Sequence, residues 1–287
     1  MGKLAFVFAG QGSQTVGMGR EFYVASDRAR ALFDMAEAKK PGITKLMFEG
    51  PRDTLDITAN AQPCLFLASL AHAEVLREKG VAADGVAGFS LGEVTAVCYA
   101  GLMDAPRGFE FVMHRASAMQ ECAEKHSGAM FAVLKLASPE VEKLCAELEQ
   151  AWPVNYNCPG QTVVACALDS EKELQKAVSE RGGKAVKLAV SGAFHSPFMD
   201  AASDRVAAYL ENEGLGAPGI PIYSNATAQI YDDPKALLAK QINHPVLWQK
   251  TIENMIADGF DTFMEIGGGK TLTGFINRIN QKVKTIT

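Results

Sequence analysis

The segment 88–92, Gly-Phe-Ser-Leu-Gly, restricts the fold of this chain more than any other feature. The apolar run 85–89 enters the segment as a buried strand would, and the small and apolar residues of 91–100 leave it as a helix would. A GxSxG pattern between a strand and a helix is typical of a sharp turn that exposes the serine hydroxyl at the helix N-terminus. Ser90 is therefore a candidate nucleophile, and the alternative is an ordinary glycine-rich turn.

Apolar runs and helical patterns alternate along the first part of the chain. The run 4–9 predicts another strand that is buried on both faces, and helical patterning covers 20–39, 63–79 and 106–124. Strands that alternate with helices predict a mainly parallel sheet with helices on both faces. We therefore expect an α/β fold with an α/β-hydrolase-like core.

The pattern changes after Ser127. There the order becomes strand, helix, strand, strand, helix, strand over roughly 65 residues, which is the order of the ferredoxin-like split unit. We therefore predict a ferredoxin-like subdomain over 125–192. It would be inserted into a catalytic domain formed by 1–124 and 193–287.

Composition and charge exclude several classes of partner. A net charge of −5 argues against a nucleic-acid binder, because phosphate binding requires a basic surface. No apolar stretch is long enough to span a membrane, and the N-terminal apolar run, which stops at Gly10, is too short for a signal peptide. The six cysteines show no CxxC pair and no metal-ligand spacing, which favours buried reduced thiols. We expect a cytoplasmic monomer with no metal, nucleic-acid or membrane partner.

A serine nucleophile needs a base, and His195 is the candidate. It is the only histidine after Ser90 in a glycine- and proline-flanked segment without helical periodicity. Loops on a rigid scaffold are where catalytic groups concentrate, although a lone loop histidine is more often structural. The other histidines are more easily explained by packing or capping: His72, His114, His126 and His244.

Two further polar residues stand in informative positions. Gln11 follows the first predicted strand in a loop rich in backbone N–H groups, which suits a second oxyanion donor beside the Leu91 amide. A phosphate cradle is the alternative, but the Walker lysine-serine pair is absent and the dinucleotide spacing is wrong. Arg115 lies in the apolar helical stretch 111–116, where an inward guanidinium would need an anion such as a carboxylate. The alternative is a surface arginine whose stem covers the core.

Taken together, these segments resemble the malonyl-CoA:acyl-carrier-protein transacylases and the related acyltransferase domains of polyketide and fatty-acid synthases. The matching stretches follow the family order over nearly the whole chain, so the match is specific. They are 8–14, 88–93, 115 with 119–120, 155–161, 193–197, 241–248 and 265–270. The resemblance implies an [acyl-carrier-protein] S-malonyltransferase of fatty-acid synthesis.

The resemblance also implies catalytic roles. Ser90 would attack the malonyl thioester, and His195 would take its proton. The backbone carbonyl of Gln241 would orient this histidine in place of a triad acid, and Arg115 would hold the malonyl carboxylate. The oxyanion hole would be formed by two backbone amides, those of Gln11 and Leu91.

Substrates and specificity follow from the same resemblance. The partners would be malonyl-CoA and a holo acyl carrier protein, and no cofactor is expected because the coenzyme A thioester is a substrate. Asn157 and Gln161 match a family segment near the pantetheine path. Phe194, directly before the candidate base, matches a position where phenylalanine accompanies malonyl use and a small residue accompanies methylmalonyl use.

The sequence departs from the family pattern at Phe89, where the family usually has histidine directly before the nucleophile. This departure leaves the serine and its base in place but removes a polar group beside the acyl pocket. Three alternatives stay open at this point. They are a free-standing acyltransferase that serves a polyketide synthase, a serine thioesterase or other hydrolase, and a carrier-docking subunit with an inactive site.

Overall fold

Two sheets organise the chain in the computed structural model, which describes residues 2–190 and 192–287. Met1 and Ser191, which fall within the predicted domains, lie outside the described residues. The strands of the larger sheet are β1 (Lys3–Phe8), β2 (Gly85–Gly88), β7 (Ile222–Tyr223), β8 (Phe260–Ile266) and β9 (Lys284–Ile286). Those of the smaller sheet are β3 (Gly128–Leu134), β4 (Ala151–Cys158), β5 (Gln161–Ala167) and β6 (Lys184–Lys187).

The larger sheet is parallel, and the smaller one is antiparallel. The strand order of the larger sheet is β7-β2-β1-β8-β9, so β1 lies in its centre. The strand that leads to Ser90, β2, lies next to β1. The smaller sheet has the order β4-β5-β3-β6 and is built from 128–187 alone. The α/β fold with a mainly parallel sheet and a separate small sheet is thereby confirmed. The domain boundaries at 124/125 and 192/193 stay a prediction.

Helices cover both sheets. Residues 5–8 of β1 have no exposed surface, as expected for a central parallel strand with helices on both faces. Within the described residues, no helix combines the length and apolar character needed to cross a bilayer. The helices are α1 (Arg20–Ala25), α2 (Asp27–Lys39), α3 (Ile43–Glu49), α4 (Arg52–Leu55), α5 (Thr58–Glu78), α6 (Leu91–Tyr99), α7 (Ala105–Lys125), α8 (Ser138–Glu147), α9 (Glu171–Glu180), α10 (Asp200–Glu211), α11 (Pro234–Lys240), α12 (Trp248–Ala257) and α13 (Thr271–Ile279).

The predicted helix over 20–39 is two helices in the structure. Ser26 is extended, with φ −145° and ψ 129°, and its hydroxyl accepts a hydrogen bond from the Ala29 N–H at 3.0 Å. A serine in this conformation ends one helix and caps the next, which the continuous helical pattern conceals.

The helix predicted over 63–79 begins earlier, at Thr58, and contains Pro63. Proline has no N–H, so the carbonyl four residues before it loses its helical donor. That carbonyl belongs to Ala59, and Lys40 Nζ donates to it at 3.5 Å. The helix therefore continues through Pro63, the residue at which the sequence pattern predicts that it begins.

The turn at Ser90 depends on close contact between α6 and the two central strands. A Cβ atom at Gly92 would lie 2.1 Å from the Phe8 carbonyl oxygen, and one at Gly88 would lie 1.9 Å from the Gly92 carbonyl carbon. Both contacts are with backbone, which cannot rotate away. Glycine is required at these two positions by lack of space, since neither has a positive φ.

We expect Gly92→Ala to destabilise the protein by about 1–3 kcal/mol or more, because its methyl group would overlap the backbone of β1. Gly274→Ala is the matched control. Gly274 also lies in a helix, α13, but no heavy atom lies within 4 Å of its would-be Cβ. This control should raise stability by about 0.5–1 kcal/mol. Urea unfolding measures both changes, and equal effects at the two sites would contradict the packing argument.

Candidate active site

Ser90 lies on a strained turn between β2 and α6. Its φ of 52° and ψ of −108° are unusual for a residue with a side chain, and such strain tends to mark functional sites. Asn225, which is fully buried, bridges this turn: its Oδ1 accepts from the Ser90 N–H at 2.7 Å, and its Nδ2 donates to the Gly88 carbonyl at 2.6 Å. The hydroxyl of Ser90 is therefore held in a fixed position at the start of α6.

His195 lies beside this hydroxyl, with its Nε2 2.8 Å from Ser90 Oγ. Its Nδ1 lies 2.8 Å from the backbone carbonyl oxygen of Gln241. A carbonyl oxygen can only accept, so Nδ1 carries the proton and Nε2 is left to accept from the serine. The pair therefore has the geometry of a nucleophile and a general base, with a carbonyl in the position that a triad acid occupies elsewhere.

The surroundings of His195 keep its imidazole neutral. The side chain is 3% exposed. Burial, together with the positive charge of Arg115, lowers the pKa of His195 from its ordinary value of 6.5 to about 4. The neutral, proton-accepting form therefore predominates at pH 7.

Arg115 is buried in α7, with 1% of its surface exposed, and it points at the same hydroxyl. Its Nη1 donates to Gln62 Oε1 at 2.6 Å, and its Nη2 donates to Gln241 Oε1 at 2.7 Å and lies 3.5 Å from Ser90 Oγ. Burial lowers the pKa of Arg115 to about 10, so the guanidinium is still charged at neutral pH. Both close partners are neutral amides, which leaves the positive charge available to an anion.

The two predicted oxyanion donors lie on separate segments. Leu91 is the first residue of α6, so its N–H has no acceptor within the helix and adds to the positive end of the helix dipole. Gln11 follows β1 and lines the cavity in front of Ser90. Its side chain is turned to α5, where its Nε2 donates to Thr58 Oγ1 at 3.1 Å.

A cavity of about 280 Å³ opens in front of the serine, between the two sheets. Six of the nine residues predicted for the site line it, and the other three lie behind Ser90 or follow it: Arg115, Gln241 and Leu91. The six are Ser90, His195, Gln11, Phe194, Asn157 and Gln161. The volume is near the lower end for a small-molecule site.

The small sheet contributes three polar residues to the cavity wall. Asn155 and Asn157 are 7% and 3% exposed, and among the described residues neither Oδ1 atom has a hydrogen-bond partner. Gln161, the third polar residue on this wall, accepts from Arg278 Nη1 at 2.9 Å. Buried, unpaired carbonyl oxygens that line a cavity suit a ligand that carries N–H or O–H groups.

Phe89 forms part of the opposite wall. Its ring meets Trp248 edge to face with centroids 5.5 Å apart, and it lies 6.2 Å from the ring of Phe275. The position at which the family usually has histidine is therefore apolar here, and the substituted ring is held in an aromatic cluster.

Sequence reasoning missed several residues that build the site, among them Gln62 and Asn225. Gln62 stands in the apolar stretch 61–68, and a polar side chain inside a fully apolar helix segment was a usable signal. Asn225 gave no such signal, because 224–227 reads as an ordinary polar turn.

Three features of this site together define a class of enzyme. A serine lies at a strand-to-helix turn of a parallel sheet, a neutral histidine is paired with it, and a guanidinium without a carboxylate partner among the described residues faces it. The class is that of enzymes that carry an acyl group on a serine ester.

Comparison with known proteins narrows the class to a family. Residues 5–285 match the family model described as the acyl transferase domain. The malonyl CoA-acyl carrier protein transacylase of Bacillus subtilis is 36% identical over 295 residues, which cover 100% of this chain and 93% of that protein. This chain therefore belongs to the acyl transferase domain family, which confirms the family expected from the motifs.

Solved structures agree with this assignment. The malonyl CoA-acyl carrier protein transacylase of Clostridium perfringens superposes with a TM-score of 0.95 at 33% identity, covering 99% of this chain and 92% of that chain. A malonyl-transacylase in complex with a type II polyketide-synthase acyl-carrier protein superposes with a TM-score of 0.95 at 32% identity, covering 99% and 94% of the two chains.

The lowered pKa of His195 predicts an unusual pH profile. A base whose pKa is depressed to about 4 stays neutral as the pH falls from 7 to 5, and it is lost only as the pH passes through about 4. The rate at which a neutral fluorophosphonate labels Ser90 should therefore be nearly constant between pH 5 and 7. Samples returned to pH 7 before labelling control for acid unfolding. An inflection near the ordinary histidine value of 6.5 would show that the base is solvated.

Proposed function

We propose that the chain transfers the malonyl group of malonyl-CoA to the phosphopantetheine thiol of a holo acyl carrier protein through a malonyl ester on Ser90. The observation that carries this proposal is the position of Arg115. A buried, charged guanidinium lies 3.5 Å from the nucleophilic oxygen and is held by neutral amides, so it can bind the free carboxylate of a malonyl group next to the reacting thioester.

In the first half-reaction, Ser90 Oγ attacks the thioester carbonyl carbon while His195 Nε2 takes the hydroxyl proton. The Gln241 carbonyl, which accepts from Nδ1–H, stabilises the imidazolium that forms. The N–H groups of Gln11 and Leu91 bind the oxyanion of the tetrahedral intermediate. The C–S bond then breaks, and the proton on Nε2 passes to the departing coenzyme A thiolate.

The second half-reaction reverses these steps with another thiol. His195 takes the proton from the phosphopantetheine thiol of the carrier, and the thiolate attacks the ester carbonyl. Collapse of the intermediate returns the proton to Ser90 Oγ and releases the malonyl thioester. No oxidation state changes in either half-reaction, so we propose that the enzyme works without a cofactor.

The unpaired amide oxygens of Asn155 and Asn157 support the carrier and coenzyme A as partners. Malonyl-CoA and the carrier both hold their reacting sulfur at the end of a pantetheine arm, which contains amide N–H and hydroxyl groups that can donate to these oxygens. We propose a cytoplasmic monomer. All six cysteines are buried and free, as suits a reducing compartment.

Fatty-acid synthesis is the pathway that we propose for the product. A polyketide carrier is the second candidate, because one of the structural neighbours described above was solved with such a carrier. Rates of transfer from the malonyl enzyme to a fatty-acid carrier and to a polyketide carrier would rank the two pathways.

Ser90→Ala should abolish the malonyl adduct that intact-mass measurement detects after the enzyme is mixed with malonyl-CoA. His195→Ala should slow adduct formation by about 10²–10⁴-fold, which is the usual contribution of a positioned base. Ser13→Ala is the matched control, because Ser13 lines the same cavity but its hydroxyl donates to the Gly10 carbonyl. A malonyl adduct that persists on Ser90→Ala would refute the assignment of the nucleophile.

Arg115→Ala should reduce the preference for malonyl-CoA over acetyl-CoA by about 100-fold or more. Two hydrogen bonds to a charged group are lost with the guanidinium, and only the malonyl group has the carboxylate that uses them. The ratio of kcat/KM for the two thioesters measures the effect. Arg205→Ala, which removes an exposed arginine paired with Glu121, is the control. An unchanged ratio in Arg115→Ala would make this arginine structural.

A further inference from the structure

Glu93, in the first turn of α6, is fully buried behind Ser90. Burial raises the pKa of its carboxyl to about 7, against the opposing effect of its hydrogen-bond donors and of Arg115. Oε1 accepts from the Tyr231 hydroxyl, and Oε2 accepts from Gln241 Nε2 at 2.9 Å. The Asn225 N–H lies 3.3 and 3.2 Å from the two oxygens. Gln241 Nε2 can only donate, so Oε2 is an acceptor whether or not the carboxyl carries a proton on Oε1.

This contact fixes which end of the Gln241 amide faces which neighbour. Gln241 Nε2 donates both to Glu93 Oε2 and to the Ser90 carbonyl at 2.6 Å. Its Oε1 consequently faces Arg115 Nη2 at 2.7 Å. A rotated amide would place its oxygen against two acceptors and its N–H₂ group against a guanidinium. Both ends would then be repulsive, so the Glu93 carboxyl, together with the Ser90 carbonyl and Arg115, holds the amide in one orientation.

The orientation of this amide reaches the reacting atoms. Gln241 Oε1 is one of only two side-chain oxygens to which Arg115 donates at less than 3 Å within the described residues. Losing it would free one side of the guanidinium next to Ser90. A further contact of Glu93, with the Asn225 N–H, supports the residue that braces the Ser90 turn.

We propose that Glu93 is a positioning residue that orients the Gln241 side-chain amide, and thereby sets the direction in which Arg115 meets the carboxylate of the acyl group. The inference rests on the proposed malonyl transfer. Glu93 does not contact the substrate, and its effect on selectivity passes through Gln241 and Arg115.

The test is the ratio of kcat/KM for malonyl-CoA to that for acetyl-CoA. Glu93→Met removes the acceptor and should lower this ratio by about tenfold or more, mainly through the KM for malonyl-CoA, because a hydrogen bond to a charged group is misdirected. Glu93→Gln retains an oxygen that can accept from Gln241 Nε2, so it should keep the ratio within about threefold. A ratio that survives Glu93→Met, or that falls equally in Glu93→Gln, overturns the inference.

Tyr231→Phe separates positioning from general packing. It removes a donor from the same carboxyl but from the oxygen that faces away from Gln241. It should lower the melting temperature and leave the selectivity ratio unchanged. An equal loss of selectivity in Tyr231→Phe and Glu93→Met would overturn the inference. It would show that selectivity falls whenever the contacts of the carboxyl are weakened, whether or not Gln241 keeps its acceptor.

A double-mutant cycle identifies the route of the effect. In an Arg115→Ala background, Glu93→Met should change the ratio by less than about twofold, because its route is already cut. A full further loss in that background contradicts the inference. If Glu93→Met does not fold, Glu93→Asp withdraws the acceptor by one methylene and should lower the ratio in the same direction. An unchanged ratio in Glu93→Asp would then overturn the inference.

The two proposals fail differently. A wild-type enzyme with no preference for malonyl-CoA overturns the proposed function and this inference together. A selective wild-type enzyme whose ratio survives Glu93→Met overturns this inference alone.

Discussion

The hydrogen bond from His195 Nδ1 to the Gln241 carbonyl orients the base of the site through a neutral group. A serine-histidine pair more often has a carboxylate at this point, which stabilises the imidazolium with a full charge. Here a neutral dipole orients the ring. No negative charge is then placed between the base and Arg115, whose direct partners are amides. A site with this charge distribution can accept a substrate that brings its own carboxylate.

The position of Arg115 also contributes to the low pKa of His195. After burial, the charge of Arg115 is the next cause of the low pKa of His195. A carboxylate bound to the guanidinium would offset that charge and raise the proton affinity of the imidazole. Such a carboxylate would therefore strengthen the base, whereas an uncharged acyl group would leave the charge of Arg115 without a counter-charge.

The pattern of apolar residues and glycines over short segments was enough to predict the parts of the structure that depend on residues close in sequence. The strand, turn and helix around Ser90 follow from two glycines and a short apolar run. Other features depend on distant partners, which a single sequence does not reveal. The split at Ser26 coincides with one side-chain cap, and Lys40 from a preceding segment donates to the carbonyl that Pro63 leaves without its helical donor. Of the site, the motif residues were predicted, but Asn225 acts on Ser90 across 135 positions of sequence.

The segment 246–247 joins the two sheets at the site, and it sets the relative position of their contributions. Val246 exchanges two hydrogen bonds with β4, donating to the Val154 carbonyl at 2.8 Å and accepting from the Tyr156 N–H at 2.9 Å. The next N–H, that of Leu247, donates to the Asn225 carbonyl at 2.9 Å. Asn225 in turn holds the Ser90 turn. The small sheet, whose asparagines line the cavity, is thus tied by three backbone hydrogen bonds to the residue that positions the nucleophile. Since backbone contacts of this kind do not depend on the side chains, the spacing across the cavity can be kept while wall residues such as Phe89 change.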